Sequence, residues 1–202
     1  MACVKMKKET KVLGINCSPR KDGNSNFLLE KVLEGAKKNG CITKKINIAD
    51  YDISPCSENE YNQVSEEGLS IVNDDANKII EEVCVSDILI IASPIFFGSL
   101  SAQAKTIIDR FQCVWLNKNV FHNGKDFFSS RKKGYFLSTS ATDRDDFFDN
   151  AKSIIRHFFA VINCEYSGEI FCKKAEKKND ICEYPEVVEA ACILGSKIKQ
   201  ER

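Results

Sequence analysis

Apolar positions along this chain switch repeatedly between a two-residue and a three-to-four-residue period. Residues 11–17, Lys-Val-Leu-Gly-Ile-Asn-Cys, form a short apolar run ending in turn residues, which predicts a buried strand. Beyond a Gly/Asn/Ser-rich loop, Phe27, Leu28, Val32, Leu33 and Ala36 recur at helical spacing, and Asn39-Gly40 ends that helix. Residues 42–48 alternate through Ile42, Lys44, Ile46 and Ile48, a second strand with one wetter face. A polar stretch over about 50–73 carries the weakest pattern. Asp74 and Asp75 then open a helix bearing Ile79, Ile80, Val83 and Cys84, and acids in a first turn suit the helix dipole. Residues 87–92, Asp-Ile-Leu-Ile-Ile-Ala, are the clearest strand and run into Ser93-Pro94-Ile95-Phe96-Phe97-Gly98-Ser99. A helix over 101 to about 115 follows, then an aromatic loop with Phe121, His122, Phe127 and Phe128. The remaining pattern predicts a strand over 134–138, a helix over about 146–161, a strand over 166–173 and a closing helix over 186–199.

Strands alternating with helices, with near-continuous apolar runs in the central strands, predict a parallel sheet covered on both faces. Five such units match the α/β doubly wound five-stranded parallel sheet of order 2-1-3-4-5, whose ligands bind outside the carboxyl ends of the strands. No internal repeat or linker interrupts the chain, so residues 1–202 are expected to form one domain.

Composition narrows the chemistry mostly by exclusion. Lys plus Arg equals Asp plus Glu at 29 each, which leaves no electrostatic footprint for nucleic acid or an anionic membrane. No apolar run is long enough to cross a bilayer, and the charged N-terminus lacks a signal peptide's apolar stretch, so a cytoplasmic protein is expected. The ten cysteines include no C-x-x-C pair, and only two histidines accompany them, so zinc and iron–sulfur spacing is missing. Cys84, Cys113 and Cys192 sit inside apolar patterns, where free thiols act as small hydrophobes in a reducing cytosol.

The expected carboxyl-end loops are residues 17–26, 93–100 and 138–145. The first puts Ser, Asn, Arg and Gly at a helix N-terminus, where unpaired N–H groups and the dipole favour a phosphate. An ordinary strand-to-helix turn with a Ser/Asn cap has the same letters. The loop lacks the G-x-G-x-x-G of a dinucleotide fold and the G-K-[ST] of an NTPase. A receiver domain would want acids where Asn16-Cys17-Ser18 stands. A mononucleotide phosphate remains.

Gly14-Ile15-Asn16-Cys17-Ser18-Pro19-Arg20 with Gly23-Asn24-Ser25, then residues 92–105 and Ile108-Asp109-Arg110, resemble the NAD(P)H-dependent FMN reductase family, and within it the iron–sulfur flavoprotein branch. The resemblance covers residues 11–140 well and the last third only by pattern. It implies a flavodoxin-like fold in which Ser18, Arg20, Asn24, Ser25 and Asn26 hold the FMN phosphate. Pro94, Ile95, Phe96, Phe97 and Gly98 would line the isoalloxazine ring, with Phe96 where the family usually has Tyr. Thr139, Ser140 and Asp143 would form the third wall. Lys105, Asp109 and Arg110 instead read as a structural or interface ion-pair set. The branch carries four close cysteines between the second strand and the next helix, whereas only Cys56 stands there in this chain, so no iron–sulfur cluster and no metal is expected.

The implied activity is an FMN-dependent NAD(P)H oxidoreductase. It would take electrons from NADH or NADPH and pass them to a small-molecule acceptor: a quinone, a nitro or azo compound, free flavin or a metal ion. No acid–base side chain is obvious, and His122 reads as a surface residue. The resemblance further implies a homodimer or homotetramer, and the aromatic loop could pack on a partner subunit. Two alternatives stay open: a non-enzymatic flavodoxin-like electron carrier, which the zero net charge and Arg20 oppose, and a flavin-based redox sensor using Cys17 or Cys56.

Overall fold

The computed structural model describes residues 9–57, 63–65, 68–121 and 127–199. Strands β1 (Lys11–Asn16), β2 (Ile42–Asn47), β3 (Ile88–Phe96), β5 (Lys132–Thr139) and β6 (Cys164–Cys172) are parallel, and a two-residue strand β4 (Ser99–Leu100) turns back antiparallel on the end of β3. The sheet order is β2-β1-β3-β5-β6. With the β4 hairpin set aside, this is the doubly wound 2-1-3-4-5 order that the pattern predicts.

Helices α1 (Asn24–Lys38) and α6 (Pro185–Lys197) cover one face. Helices α2 (Ala76–Val85), α3 (Ala102–Arg110), α4 (Gln112–Leu116) and α5 (Asp146–Val161) cover the other. Successive strand residues point to opposite faces. Leu13, Ile15, Leu89, Ile91 and Phe136 therefore feed one core, while Val12, Ile88, Ile90, Ala92 and Leu137 feed the other. Two buried faces explain why these strands read as continuous apolar runs. The edge strand β2 instead shows Lys44 and Lys45 to solvent, paired with Glu82 and Glu30, which discourages further strand pairing.

Four expectations change. Strand β3 does not stop at Ala92 but continues through Ser93 to Phe96, because Phe96 and Ile95 pair with Ser99 and Leu100. The helix expected over 101–115 breaks at Phe111, whose N–H bonds three residues back to Ile108, the tightening that closes a helix. The aromatic loop turns inward at Phe128, which is buried 6.3 Å from the Phe111 ring, while Phe111 meets Phe158 edge-on at 4.9 Å. His122 lies outside the described residues. Cys192, expected to act as a small hydrophobe within an apolar pattern, is exposed on α6. Among the described residues no helix is long and apolar enough to cross a membrane.

The polar connection before α2 is organised by a buried cation. The Arg110 side chain is fully buried, donating to the Ser54 carbonyl (3.0 Å) and Ser70 Oγ (2.7 Å) and pairing with Asp74. Asp74 also accepts from the N–H groups of Ser54 (3.0 Å) and Ala76 (2.9 Å), so it starts α2 as the sequence suggests. Burial alone would raise the Asp74 pKa, but these hydrogen bonds, Arg110's first, leave it below the ordinary value.

Candidate functional site

Parallel strands bring all their carboxyl ends to one edge, and a cavity of about 270 Å³ opens there. Its lining comes from four strand ends: Ser18, Arg20, Gly23, Asn24 and Ser25 after β1; Pro94, Ile95 and Phe96 at the end of β3; Thr139 at the end of β5 with Ala141 after it; and Ala175, Glu176 and Lys178 after β6. Beneath it, Ser138 Oγ donates to the Ser93 carbonyl (2.7 Å) and Ser101 Oγ to the Cys17 carbonyl (2.7 Å). Ser101 Oγ also accepts from Ala104 N–H (3.2 Å), capping α3. These hydroxyls lock the ends of β1, β3 and β5 together.

One end of the cavity is rich in hydrogen-bond donors. The first ladder bond of α1 runs from Phe27 N–H to the Gly23 carbonyl (3.0 Å), so the N–H groups of Asn24, Ser25 and Asn26 precede the ladder, and no side chain caps them. Ser25 Oγ is buried and makes no hydrogen bond. An unmet buried polar group costs about 1–3 kcal/mol, so such an atom calls for a partner from outside the chain. A Cβ on Gly23 would come within 3.0 Å of Ser18 Oγ, so glycine keeps this cradle open. Ser18 Oγ accepts from Arg20 N–H (3.1 Å), which holds the loop's shape. The Arg20 guanidinium reaches the Glu176 carbonyl at the rim (3.3 Å).

The other end is apolar. Pro94 and Ile95 line it, with Phe96 45% exposed beside them. The turn from β3 to β4 consists of Phe97 (φ 49°) and Gly98 (φ 72°), the two left-handed positions of a tight hairpin turn. Gly98 accepts this freely; Phe97, fully exposed, bears a conformation that costs a side-chain residue about 1–2 kcal/mol. The turn is braced by Asn150 Nδ2 donating to the Gly98 carbonyl (3.2 Å).

The expected site residues divide by where their side chains are used. Ser18, Arg20, Asn24, Ser25, Pro94, Ile95, Phe96 and Thr139 come together in the lining. Phe97 and Gly98 stand at the hairpin tip outside it. Asn24 has spent its side chain: Nδ2 donates to the carbonyls of Ala175 (3.2 Å) and Lys177 (2.8 Å), and Oδ1 accepts from Ile181 N–H (3.4 Å). Asn26 faces β2, donating to Glu30 (3.0 Å) and accepting from Lys45 (3.3 Å). Ser140 Oγ is engaged within its own loop by Thr142. Asp143 pairs on the surface with Lys174 and Lys173, whose hydrogen bonds pull its pKa down to about 2. Of the ion-pair set, Lys105 and Asp109 pair on the exposed face of α3 (2.7 Å), whereas Arg110 turns inward.

The loop after β6 was not anticipated. Nothing in its letters marks it, but a fifth parallel strand must end at the same edge, and that topological signal was available. A larger groove, about 490 Å³, lies between α3–α4 and α5 and is lined by Ile108, Phe111, Trp115, Ile154, Phe158 and Val161 with a polar rim. It contains none of the expected cofactor-binding residues. Among the described residues no group of three or more His, Cys, Asp or Glu could hold a metal. Cys17, at the start of the loop after β1, is buried, and burial pushes its thiol pKa up to about 12, so it carries essentially no thiolate at neutral pH.

Known proteins are similar to this chain in sequence and in fold. The sequence is 37% identical over 100 residues to an iron–sulfur flavoprotein of Methanocaldococcus jannaschii, covering 50% of this chain and 51% of that one. It is 29% identical over 132 residues to an iron–sulfur flavoprotein of Methanosarcina thermophila, covering 65% and 64% respectively. The chain thus spans about half to two thirds of the length of these curated relatives. The fold superposes on the NAD(P)H:quinone oxidoreductase of Methanothermobacter marburgensis with a TM-score of 0.71 at 14% identity, over 96% of this chain and 98% of that one. Residues 10–160 match the NADPH-dependent FMN reductase family, and the chain belongs to that family.

Proposed function

We propose that this chain is an FMN-dependent NAD(P)H oxidoreductase that holds its flavin in the carboxyl-edge cavity and serves a small-molecule acceptor such as a quinone or an azo compound. The observation that carries the reading is the orphaned Ser25 hydroxyl at the uncapped start of α1, joined in one cavity to the apolar Pro94–Ile95–Phe96 surface. A phosphate fits the first and a flat ring system the second, as a flavin mononucleotide requires.

In this reading Ser25 Oγ, Ser18 and the N–H groups of Asn24, Ser25 and Asn26 bind the phosphate, with Arg20 swinging from the Glu176 carbonyl to complete the shell. Asn24 acts through its backbone and keeps the loop after β6 in position. Pro94, Ile95 and Phe96 support the ring, and Thr139 closes the far wall. Bound there, FMN supplies hydride acceptance from NADH or NADPH and onward transfer to the acceptor. The protein's part is to orient the ring and leave one face open.

The chain carries a single cysteine, Cys56, between β2 and α2. A cubane cluster takes four thiolates, so we read this protein as flavin-only. Burial of Cys17 with its raised thiol pKa counts against its use as a redox sensor, and the zero net charge counts against an acidic electron shuttle. We further infer a cytoplasmic homo-oligomer; Trp115, 41% exposed beside the α3–α4–α5 groove, supports the self-association.

Purified protein supplied with FMN should oxidise NADH or NADPH steadily in the presence of a quinone or an azo dye. Because both substrates use one cleft in turn, double-reciprocal plots should be parallel. Flavin uptake without nicotinamide oxidation would instead favour the electron carrier.

A further inference from the structure

The loop after β6 presents a cation to the same cavity, and it is rigidly built. Asp180 Oδ2 accepts from the N–H groups of Glu176 (2.9 Å) and Lys177 (2.7 Å). Asn24, at the first turn of α1, binds the carbonyls of Ala175 and Lys177. Lys174 (φ 59°) and Asn179 (φ 71°) take left-handed conformations at the loop's two ends. Tyr184 Oη donates to the Lys174 carbonyl (3.3 Å). Such a network fixes where Lys178 starts from: it lines the cavity, and its ammonium reaches across to Asp22 in the phosphate loop, closing an ion pair between the first and last strand-end loops.

Charge balance gives this pair a purpose. At the phosphate end Arg20 and Lys178 are offset by Asp22 and Glu176, so the mouth is formally neutral. Arg20 is held by the Glu176 backbone carbonyl, so a phosphate gains a second cation if Lys178 leaves its carboxylate partner Asp22. Both members of the Lys178–Asp22 pair are largely exposed, with side-chain exposures of 60% and 66%. Exposed pairs contribute little and exchange readily, and an ammonium is a compact point charge that a phosphate can recruit.

We propose that Lys178 is a further cofactor-specificity residue, exchanging Asp22 for the flavin phosphate when FMN binds, and that Asp22 is the placeholder counter-ion that sets how tightly phosphate is held. The inference rests on the FMN reading above. Lys178 thereby favours phosphorylated flavin over riboflavin, and the loop after β6 clasps the cofactor's phosphate end.

The test is the affinity of the whole protein for FMN and for riboflavin, read by quenching of flavin fluorescence, in wild type, Lys178→Gln, Lys178→Arg and Asp22→Asn. Wild type should prefer FMN. Lys178→Gln should weaken FMN about tenfold and leave riboflavin unchanged, the size of one lost charge-assisted contact. Lys178→Arg should restore most of the loss. Asp22→Asn should bind FMN at least as tightly as wild type, because it frees the ammonium. An unchanged FMN preference in Lys178→Gln overturns this inference alone. So does a matching loss in Asp22→Asn, which would make the pair a structural clasp. Equal wild-type affinities for the two flavins would overturn the phosphate reading itself.

Discussion

Replacing Arg110 by alanine is expected to remove about 3–5 kcal/mol of folding stability, the range for breaking a buried ion pair by deleting one partner. The guanidinium is fully buried and joins three points of the connection before α2: the Ser54 carbonyl, Ser70 Oγ and the Asp74 carboxylate. Its loss leaves Asp74 charged and nearly buried, with a 6% exposed side chain. Replacing both residues together, Arg110→Met with Asp74→Leu, should recover much of the loss because no lone charge remains. Chemical denaturation of the three proteins measures this directly. The same pair sets an acid limit. Asp74's folded pKa lies below its unfolded value, so its contribution is fully present above about pH 4 and fades as pH falls through the folded value. Arg110→Ala should flatten that part of the stability profile. A loss near zero in Arg110→Ala would mean the connection is held by something else.

The second large effect concerns the cofactor. Ser25→Asp is expected to abolish FMN uptake, weakening it at least about a hundredfold, while the fold keeps its thermal stability. The substitution puts a carboxylate at the second position of α1, where the dipole and free N–H groups welcome an anion. The helix is served and the phosphate is displaced by like charge. Unfolding and binding therefore separate, which a merely damaged core would not allow. Calorimetric melting with a parallel FMN titration reads both. A variant that melts normally and still binds FMN as wild type does would remove Ser25 from the phosphate site.

Much of this architecture was legible in the sequence because burial on both faces of a parallel sheet writes itself as local periodicity. The apolar runs at Val12–Ile15 and Ile88–Ala92 needed no long-range information. The bounds of α5, Asp146–Val161, follow from an apolar stripe with acids at its start. The β4 hairpin was hidden because two residues are too few to show a period. Its turn was still written in Gly98.

Site residues were legible as types but not as directions. Asn24, Asn26 and Ser140 have the right chemistry for a phosphate or ring edge, yet each side chain finds a partner within the protein first. Short polar side chains near caps and turns compete for backbone and neighbouring groups in this way, and sequence alone does not reveal which bond wins. Arg110 illustrates the long-range version. Its neighbours Lys105 and Asp109 satisfy one another at helical spacing, but its own partner, Asp74, lies 36 residues away. Lys178 was missed because the loop after β6 carries no motif. Only the topology, which sends every strand to the same edge, marks it.

The most direct test of the central claim is an anaerobic visible spectrum. Protein stripped of flavin and mixed with FMN should take up one equivalent and show a perturbed flavin band. Adding NADH or NADPH without oxygen should then bleach that band, and a quinone should restore it. A protein that takes up no FMN, or whose bound FMN neither nicotinamide bleaches, would contradict the account.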